Sequence, residues 1–353
     1  MTAEALGERL FGAMIGALEL CTVEVGRELG LYAALRDGPL TPAELAKAAG
    51  IDERYAREWL EQQAAAGFLT PGFALGPGAA EVLLDEGGTA YAGAAGQFVV
   101  GVALLTPSVI EAFRTGAGVP YSAYAHVRHG IAGFNRPMFE HLLTTAWLPA
   151  VPEIESRLRE AAPGARVLDL GCGMGYSSVA LALAYPSITV RGADLDEHSI
   201  TAAREVAAAA GVADRVSFTV ADAAAVTGDY DLITLFEALH DMGDPVGVLR
   251  NARTLLRPGG SVLIADERVA DEFTAPAGEV ERLQYAFSVL HCLPATRAEN
   301  PVIANGTILR APTLLGWARE AGFPSPAVLD IDNDFWRFYQ LRRGYEQEPG
   351  VAG

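Results

Sequence analysis

The chain has 353 residues, half of them hydrophobic and a fifth charged, which is enough apolar material for two domains with real cores and excludes a disordered chain. Twenty-six Lys and Arg stand against 44 Asp and Glu, a net charge of −18. That balance lacks the clustered cations that displace counterions from nucleic acid or dock on an anionic bilayer, so neither is expected as a partner.

Three cysteines, Cys21, Cys172 and Cys292, form no motif and cannot all pair, which fits a reducing cytoplasm. Glu4 and Glu8 precede Arg9 where a signal peptide would be basic. From about Leu18 to Leu75 the pattern is helix, helix, helix, hairpin. Thr41-Pro42-Ala43-Glu44 is a capping box with proline at the first helical position, and Gly50 stops that helix. Asp52 caps the next helix, which Gly67 ends. Phe68–Thr70 and Phe73–Leu75 read as two short strands around Pro71-Gly72. This is a winged-helix arrangement, yet residues 1–90 hold 14 acids and 6 bases, so docking or dimerisation is expected rather than DNA binding.

The most apolar later stretch, Ala92 to Ile110, is interrupted by Gln97, Gly101 and Pro107 and reads as a buried helix pair rather than a membrane span. The following segment, from Val119 to Trp147, is rich in aromatics. Tyr121, Asn135 and Trp147 are its candidates for facing a small apolar substrate. His126-x-x-His129 has ligand spacing, but no cysteine or acid pair accompanies it, and no metal site is expected.

Beyond Pro163-Gly164 short β-rich runs alternate with helical stretches, the signature of a parallel sheet with crossover helices. An apolar strand enters the loop Gly171-Cys172-Gly173-Met174-Gly175, and a helix follows from Tyr176. The loop is G-x-G-x-G, not the dinucleotide G-x-G-x-x-G, and Asp169 just before it opposes a pyrophosphate and favours a ligand carrying an ammonium or sulfonium. The next strand ends at Asp194, where an acid can accept both ribose hydroxyls. The third ends at Asp222-Ala223, the fourth at Phe236 ahead of Glu237 and Leu239-His240-Asp241, and the fifth, after Arg257-Pro258-Gly259-Gly260, at Asp266-Glu267. All these polar groups fall at strand C-terminal ends, where open α/β sheets bind ligands.

Residues from about 164 to 342 resemble the class I S-adenosylmethionine-dependent methyltransferases. Val167–Gly175 is similar to their first motif, Asp194 to the ribose acid, Asp222-Ala223-Ala224 to the adenine motif, and Arg257–Gly260 to the turn before their fifth strand. The resemblance implies an α/β, Rossmann-like, seven-stranded sheet whose last strand is antiparallel, with Val328–Ile331 and Phe335–Leu341 as the closing hairpin. It implies cofactor contacts from Asp169, Gly171, Gly173, Asp194, Leu195, Asp222, Ala223 and Phe236, with S-adenosylhomocysteine as product. The stretch Asp52 to Leu69 resembles the winged-helix domain of bacterial, including mycobacterial, methyltransferases. Leu239-His240-Asp241 resembles the His-Asp motif of plant and polyketide O-methyltransferases, with Met242 replacing the usual tryptophan. Those families imply a homodimer, His240 as general base, and Asp241 or Asp266 as its orienter.

The expected organisation is a winged-helix domain over 1–90, a helical linker over 91–160 that contributes to the substrate pocket, and the catalytic domain over 161–353. A lid insertion is expected at about 270–310, where His291 is a second candidate base and a candidate for touching substrate. The expected activity is O-methylation of a phenolic or polyketide-like metabolite by a cytoplasmic enzyme of secondary metabolism. The alternatives are non-methylating chemistry on the same cofactor, or a ligand-responsive regulator using its winged helix.

Overall fold

The β-rich runs after residue 164 become one seven-stranded sheet. In the computed structural model, which describes residues 1–160 and 162–344, the strands are β1 (Arg166–Leu170), β2 (Thr189–Asp194), β3 (Val216–Val220), β4 (Tyr230–Phe236), β5 (Leu256–Glu267), β6 (Ala327–Leu329) and β7 (Trp336–Arg342). Their order is β3-β2-β1-β4-β5-β7-β6. β1 to β5 run parallel, and β7 lies antiparallel to both β5 and β6. Central β4 is buried along its whole length, as a strand covered by helices on both faces must be. Val262, Ile264, Leu235 and Leu249 belong to the core on one side of it.

β5 begins earlier than the expected Ser261. Leu256 already pairs with Tyr230, and the register then shifts so that Leu232 faces Ser261. The turn Arg257–Gly260 bulges out between these pairs, with Gly259 at φ +79°. At this N-terminal end of β4, Asp231 accepts from Arg157 Nε and Nη2 at 3.0 and 2.8 Å, from the Arg166 backbone at 2.8 Å and from Arg257 at 3.1 Å. The charged knot therefore lies at the opposite end of the strands from the glycine loop.

The chain divides into two compact units, Met1–Leu105 with Tyr124–Met138, and Thr106–Ala123 with the chain from Phe139 on. Residues 91–160, expected as one linker, are shared between them.

In the first unit, a helix spans Ala3–Glu28 and its last turns join the core made by Leu31, Tyr32, Leu45, Trp59 and Leu60. The helix Pro42–Ala49 begins with the full capping box and ends at Gly50, φ +68°. Asp52 caps Glu53–Ala65 by accepting from the Arg54 and Tyr55 N–H groups. The two expected wing strands do not form. They shrink to a single bridge, Leu69–Leu75, because Phe73 at φ +64° turns the chain before a ladder can propagate.

The expected helix pair near residue 100 is also corrected. Ala94–Thr115 is one 22-residue helix, long and apolar enough by composition to cross a membrane, and only 28% of its most apolar window is buried. Pro107 removes one backbone hydrogen bond without ending it. Gly101 continues the helix because its missing side chain makes room for Val127, whose backbone N would lie 2.9 Å from an added Cβ.

In the second unit, Trp147 is the hub of an aromatic cluster. Its ring lies 5.0 Å from Phe338, 5.3 Å from Trp336, 6.3 Å from Phe139 and 6.5 Å from Phe236. Expected to face substrate, Trp147 is instead 1% exposed, and four aromatic neighbours take up its surface. Trp147→Ala is expected to cost about 3–5 kcal/mol of unfolding free energy. Urea melts followed by circular dichroism would check this, and a loss under 1 kcal/mol would remove the tryptophan from the core.

Candidate active site

The first glycine loop is shaped by what stands behind it. Gly171, φ +68°, leaves β1 so close to the β4 exit that an added Cβ would sit 2.5 Å from the Ala238 Cβ. Gly173, φ +49°, has nothing within 4 Å of the same position, so the loop presents bare backbone on its open side.

Asp169 was expected to meet the ligand's cation. The structure corrects this: it is buried beneath the loop, with Ser177 and Ser178 donating to one oxygen at 2.6 and 2.7 Å and Thr234 to the other at 2.7 Å. Burial raises its carboxyl above the usual range, while the three hydroxyls pull the other way. Its role is to join β1, β4 and the helix Tyr176–Ala184 beneath the loop.

Asp194, at the end of β2, is partly buried. One oxygen accepts the Gly173 N–H at 2.9 Å and the other the Asp196 N–H at 2.9 Å. Each carboxylate oxygen can accept twice, so each keeps one position for a ligand hydroxyl. Burial holds Asp194 above the ordinary range, and the fields of Asp196 and Asp169 add to this. Leu195 beside it is exposed, Asp222 is exposed with its carboxylate accepting the Ala224 N–H, and Ala223 is buried. Phe236 packs into the aromatic cluster, 5.7 Å from Phe139.

Just past β4, the turn Leu239–Asp241 buries His240. Its Nδ1 lies 2.9 Å from Asp266 Oδ1, and its Nε2 lies 3.5 Å from Asp241 Oδ1. Asp266 is fully buried at the end of β5. Burial works against the charged imidazolium, but Asp266 and Asp241 outweigh it and hold the His240 pKa well above 6.5. Asp266 thus meets the ring by a direct hydrogen bond, and Asp241 stands beside it as a flanking charge.

The expected lid contains the helix Glu279–Phe287, a π-helical turn Ser288–Cys292 and the helix Leu293–Ala298. Thr296 Oγ1 donates to the Asp241 carbonyl at 3.2 Å, fastening this segment to the histidine turn. Two expected substrate residues meet here: the ring of buried His291 lies 5.7 Å from that of Tyr121. Segment 116–119 is bound to the same helix, with Arg297 donating twice to the Gly116 carbonyl and the Val119 N–H to that of Pro294. Asn135 is half-buried on the helix Ala125–His141 and belongs to the other unit.

Cys292, Glu299 and Glu267 escaped sequence reasoning as site candidates, whereas Glu237 was a candidate for lining the cofactor's methionine end. Cys292 is buried, and burial together with the field of Asp241 pushes its thiol up to about 12. Glu299 is lifted by burial and then by Asp241, Asp222 and Asp194, so all four acids share one field. Glu237 takes the left-handed φ of +50° and accepts from Trp336 Nε1 at 2.8 Å. Buried Glu267, bonded by Gln284 at 2.5 Å, is raised well above the carboxylate range by burial and by Glu237. The strand ends were a signal for Glu237 and Glu267. None existed for Cys292 or Glu299, which the fold brings in from a distant segment.

Open glycine backbone, a carboxylate with acceptor positions to spare and a surplus of negative charge suit a nucleoside bearing a positive centre. Residues 161–301 match a family described as a methyltransferase domain, and residues 16–70 one described as an Rv2258c-like winged HTH domain. The chain is 33% identical over 124 residues to 27-O-demethylrifamycin SV methyltransferase of Amycolatopsis mediterranei, covering 34% of this chain and 45% of that one. It thus spans less than half the length of the first curated relatives it matches. An O-methyltransferase family protein from Burkholderia thailandensis superposes with a TM-score of 0.68 at 21% identity, covering 97% of this chain and 98% of that one. A structure described as PigF with SAH gives 0.70 at 18%, covering 97% and 99%. Residues 161–301 thus carry a methyltransferase domain on the seven-stranded sheet, and a winged HTH domain precedes it.

Proposed function

We propose that this protein transfers a methyl group from S-adenosylmethionine to an oxygen of a small phenolic or polyketide-like acceptor, with His240 as general base. The observation that carries the reading is the buried 2.9 Å contact between His240 Nδ1 and Asp266, next to the loop that Ala238 packs against. Relatives named as O-methyltransferases support oxygen as the acceptor atom.

When bound, the cofactor supplies an activated methyl carbon. The chain's own residues then bind, orient and move a proton. Asp194 would accept the ribose hydroxyls, Leu195 and Ala223 would border the adenine, and Asp222 would accept its amino group. The shared field of Asp194, Asp222, Asp241 and Glu299 holds the positive end of the ligand.

The raised pKa favours the imidazolium, so the base form is the deprotonated ring at alkaline pH; there Asp266 keeps the remaining proton on Nδ1, which leaves the Nε2 lone pair to remove the acceptor's hydroxyl proton as its oxygen attacks. Two carboxylates flanking the ring make it a stronger base than a free histidine. Orientation of the two reactants supplies the larger share of the acceleration, about 7–11 kcal/mol when alignment is good. Tyr121 and His291 line the acceptor side.

The same reading makes the protein a cytoplasmic homodimer of secondary metabolism. Along the first helix, Leu6, Leu10, Met14 and Leu18 recur every fourth residue, with Phe11 beside them, and all are exposed. A second copy would cover such a stripe. Exposed Leu104, Ile110 and Phe113 on Ala94–Thr115 also suit a protein neighbour better than lipid, since Gln97, Glu111 and Arg114 share that helix. Nucleic acid is disfavoured because, on Glu53–Ala65, Arg54 pairs with Glu58 and Arg57 with Glu53.

Asp194→Ala should weaken S-adenosylmethionine binding by about 10–100-fold in calorimetry, as loss of charge-assisted hydrogen bonds would; unchanged affinity would refute the ribose assignment. His240→Ala should retain cofactor affinity and lose about 10²–10⁴-fold in kcat with phenolic acceptors. A full rate in that variant would leave catalysis to proximity alone. Phe11→Asp with Leu10→Asp should convert the wild-type dimer to monomer in light scattering, and a monomeric wild type would end the dimer reading.

A further inference from the structure

The corner where His240 Nε2 emerges carries donors that methyl transfer does not require. His240, Asp241 and Cys292 each offer a ligand atom, and these atoms lie within 4.8 Å of one another, with His240 Nε2 3.5 Å from Asp241 Oδ1. Asp241 Oδ1 is buried and accepts no hydrogen bond among the described residues. The far side of the ring is already fixed, Nδ1 to Asp266 at 2.9 Å, as a metal-binding histidine is usually held by a carboxylate behind it.

The spacing can be compared with a tetrahedral ion. With metal–nitrogen and metal–oxygen bonds near 2.1 Å, adjacent N and O ligands stand about 3.4 Å apart, and N and S ligands about 3.5 Å. The Nε2–Oδ1 separation is already 3.5 Å. Sγ closes to its place with a side-chain adjustment of about 1 Å. One carboxylate and one thiolate balance a doubly positive ion. Imidazole and thiolate donors favour zinc over magnesium, which demands oxygen. His291 Nδ1, 3.4 Å from Sγ, stands where it can donate to the thiolate.

We propose that His240, Asp241 and Cys292 form a binding site for a zinc-class divalent cation, with a fourth position open to solvent or an acceptor oxygen. On binding, the Nε2 lone pair, an Oδ1 lone pair and the thiolate pair become metal bonds. The protons previously on Sγ and on Nε2 of the imidazolium leave to solvent, and nothing is oxidised or reduced. The metal takes the lone pair that would receive the acceptor's proton, so zinc inhibits transfer. That consequence rests on His240 being the base; the site itself does not. No local spacing advertises it, since residues 240 and 292 meet only through the fold.

The test titrates untagged, full-length protein, without cofactor, with Zn²⁺ and separately with Mg²⁺ by calorimetry, and with Co²⁺ by absorption. One equivalent of zinc, no comparable magnesium site and a thiolate-to-cobalt charge-transfer band are expected. Cys292→Ser should remove the band and weaken zinc by at least about tenfold, and Asp266→Asn should weaken it by about 10–100-fold. Circular dichroism checks that each variant folds, and Asp241→Asn replaces Cys292→Ser if that one does not. No saturable zinc binding, or affinity unchanged in the ligand variants, overturns the proposal. Zinc should inhibit transfer by the wild type, reversibly with chelator, and spare Cys292→Ser. Binding without inhibition would keep the site and overturn the base assignment.

Discussion

A buried carboxylate beneath the glycine loop sets the geometry of the site. Asp169 takes hydroxyl hydrogen bonds from Ser177 and Ser178 on one helix and from Thr234 on β4. Three elements are thereby held at the point where the chain must turn through Gly171, and the loop's open side is presented in one conformation. Unpaired, a buried carboxylate would be strongly disfavoured; supplied with three donors, it becomes a fixed joint. Everything further out follows from that joint. Asp194 receives the Gly173 N–H only because the loop is held where β2 ends, and Ala238 packs on Gly171 only because β4 is drawn to the same place.

The sheet and the glycine loop were legible because they are local in sequence. A strand, a glycine turn and an acid at the next strand's end each occupy a few residues, and their periodicity and backbone demands are visible in isolation. The capping box at Thr41 and the Asp52 cap were legible for the same reason. Other features were hidden because side-chain type does not reveal what lies across from it. An acid beside a glycine loop looks like a ligand until Ser177, Ser178 and Thr234 are seen to enclose it. A tryptophan among aromatics looks like a pocket wall until Trp336 and Phe338, nearly 200 residues later, are folded onto it. The wing failed as a pair of strands because Phe73 reverses its backbone, which composition around Pro71-Gly72 does not disclose.

The electrostatics of the site are also a product of assembly. Asp194, Asp222, Asp241 and Glu299 come from four different segments, yet each contributes to one negative field. His240 sits within reach of that field, beside Asp266 and Cys292, so its charge state is set by groups up to 52 residues away. Such a site has a high affinity for positive charge in general. Its selectivity must come from shape and donor type, the bare loop backbone on one side and the imidazole–thiol corner on the other.

The fastening of segment 116–119 to the helix Leu293–Ala298 has an engineering consequence. Gly118 fits against Ala298 so closely that an added Cβ would stand 2.0 Å from its backbone nitrogen, and Arg297 reads the Gly116 carbonyl. The lid is therefore not a self-contained cassette. A transplant of residues 270–310 between relatives would arrive without its matching strap, and Tyr121 would lose its register with His291. The two distant stretches are fitted to each other, so that a change in one requires a matching change in the other.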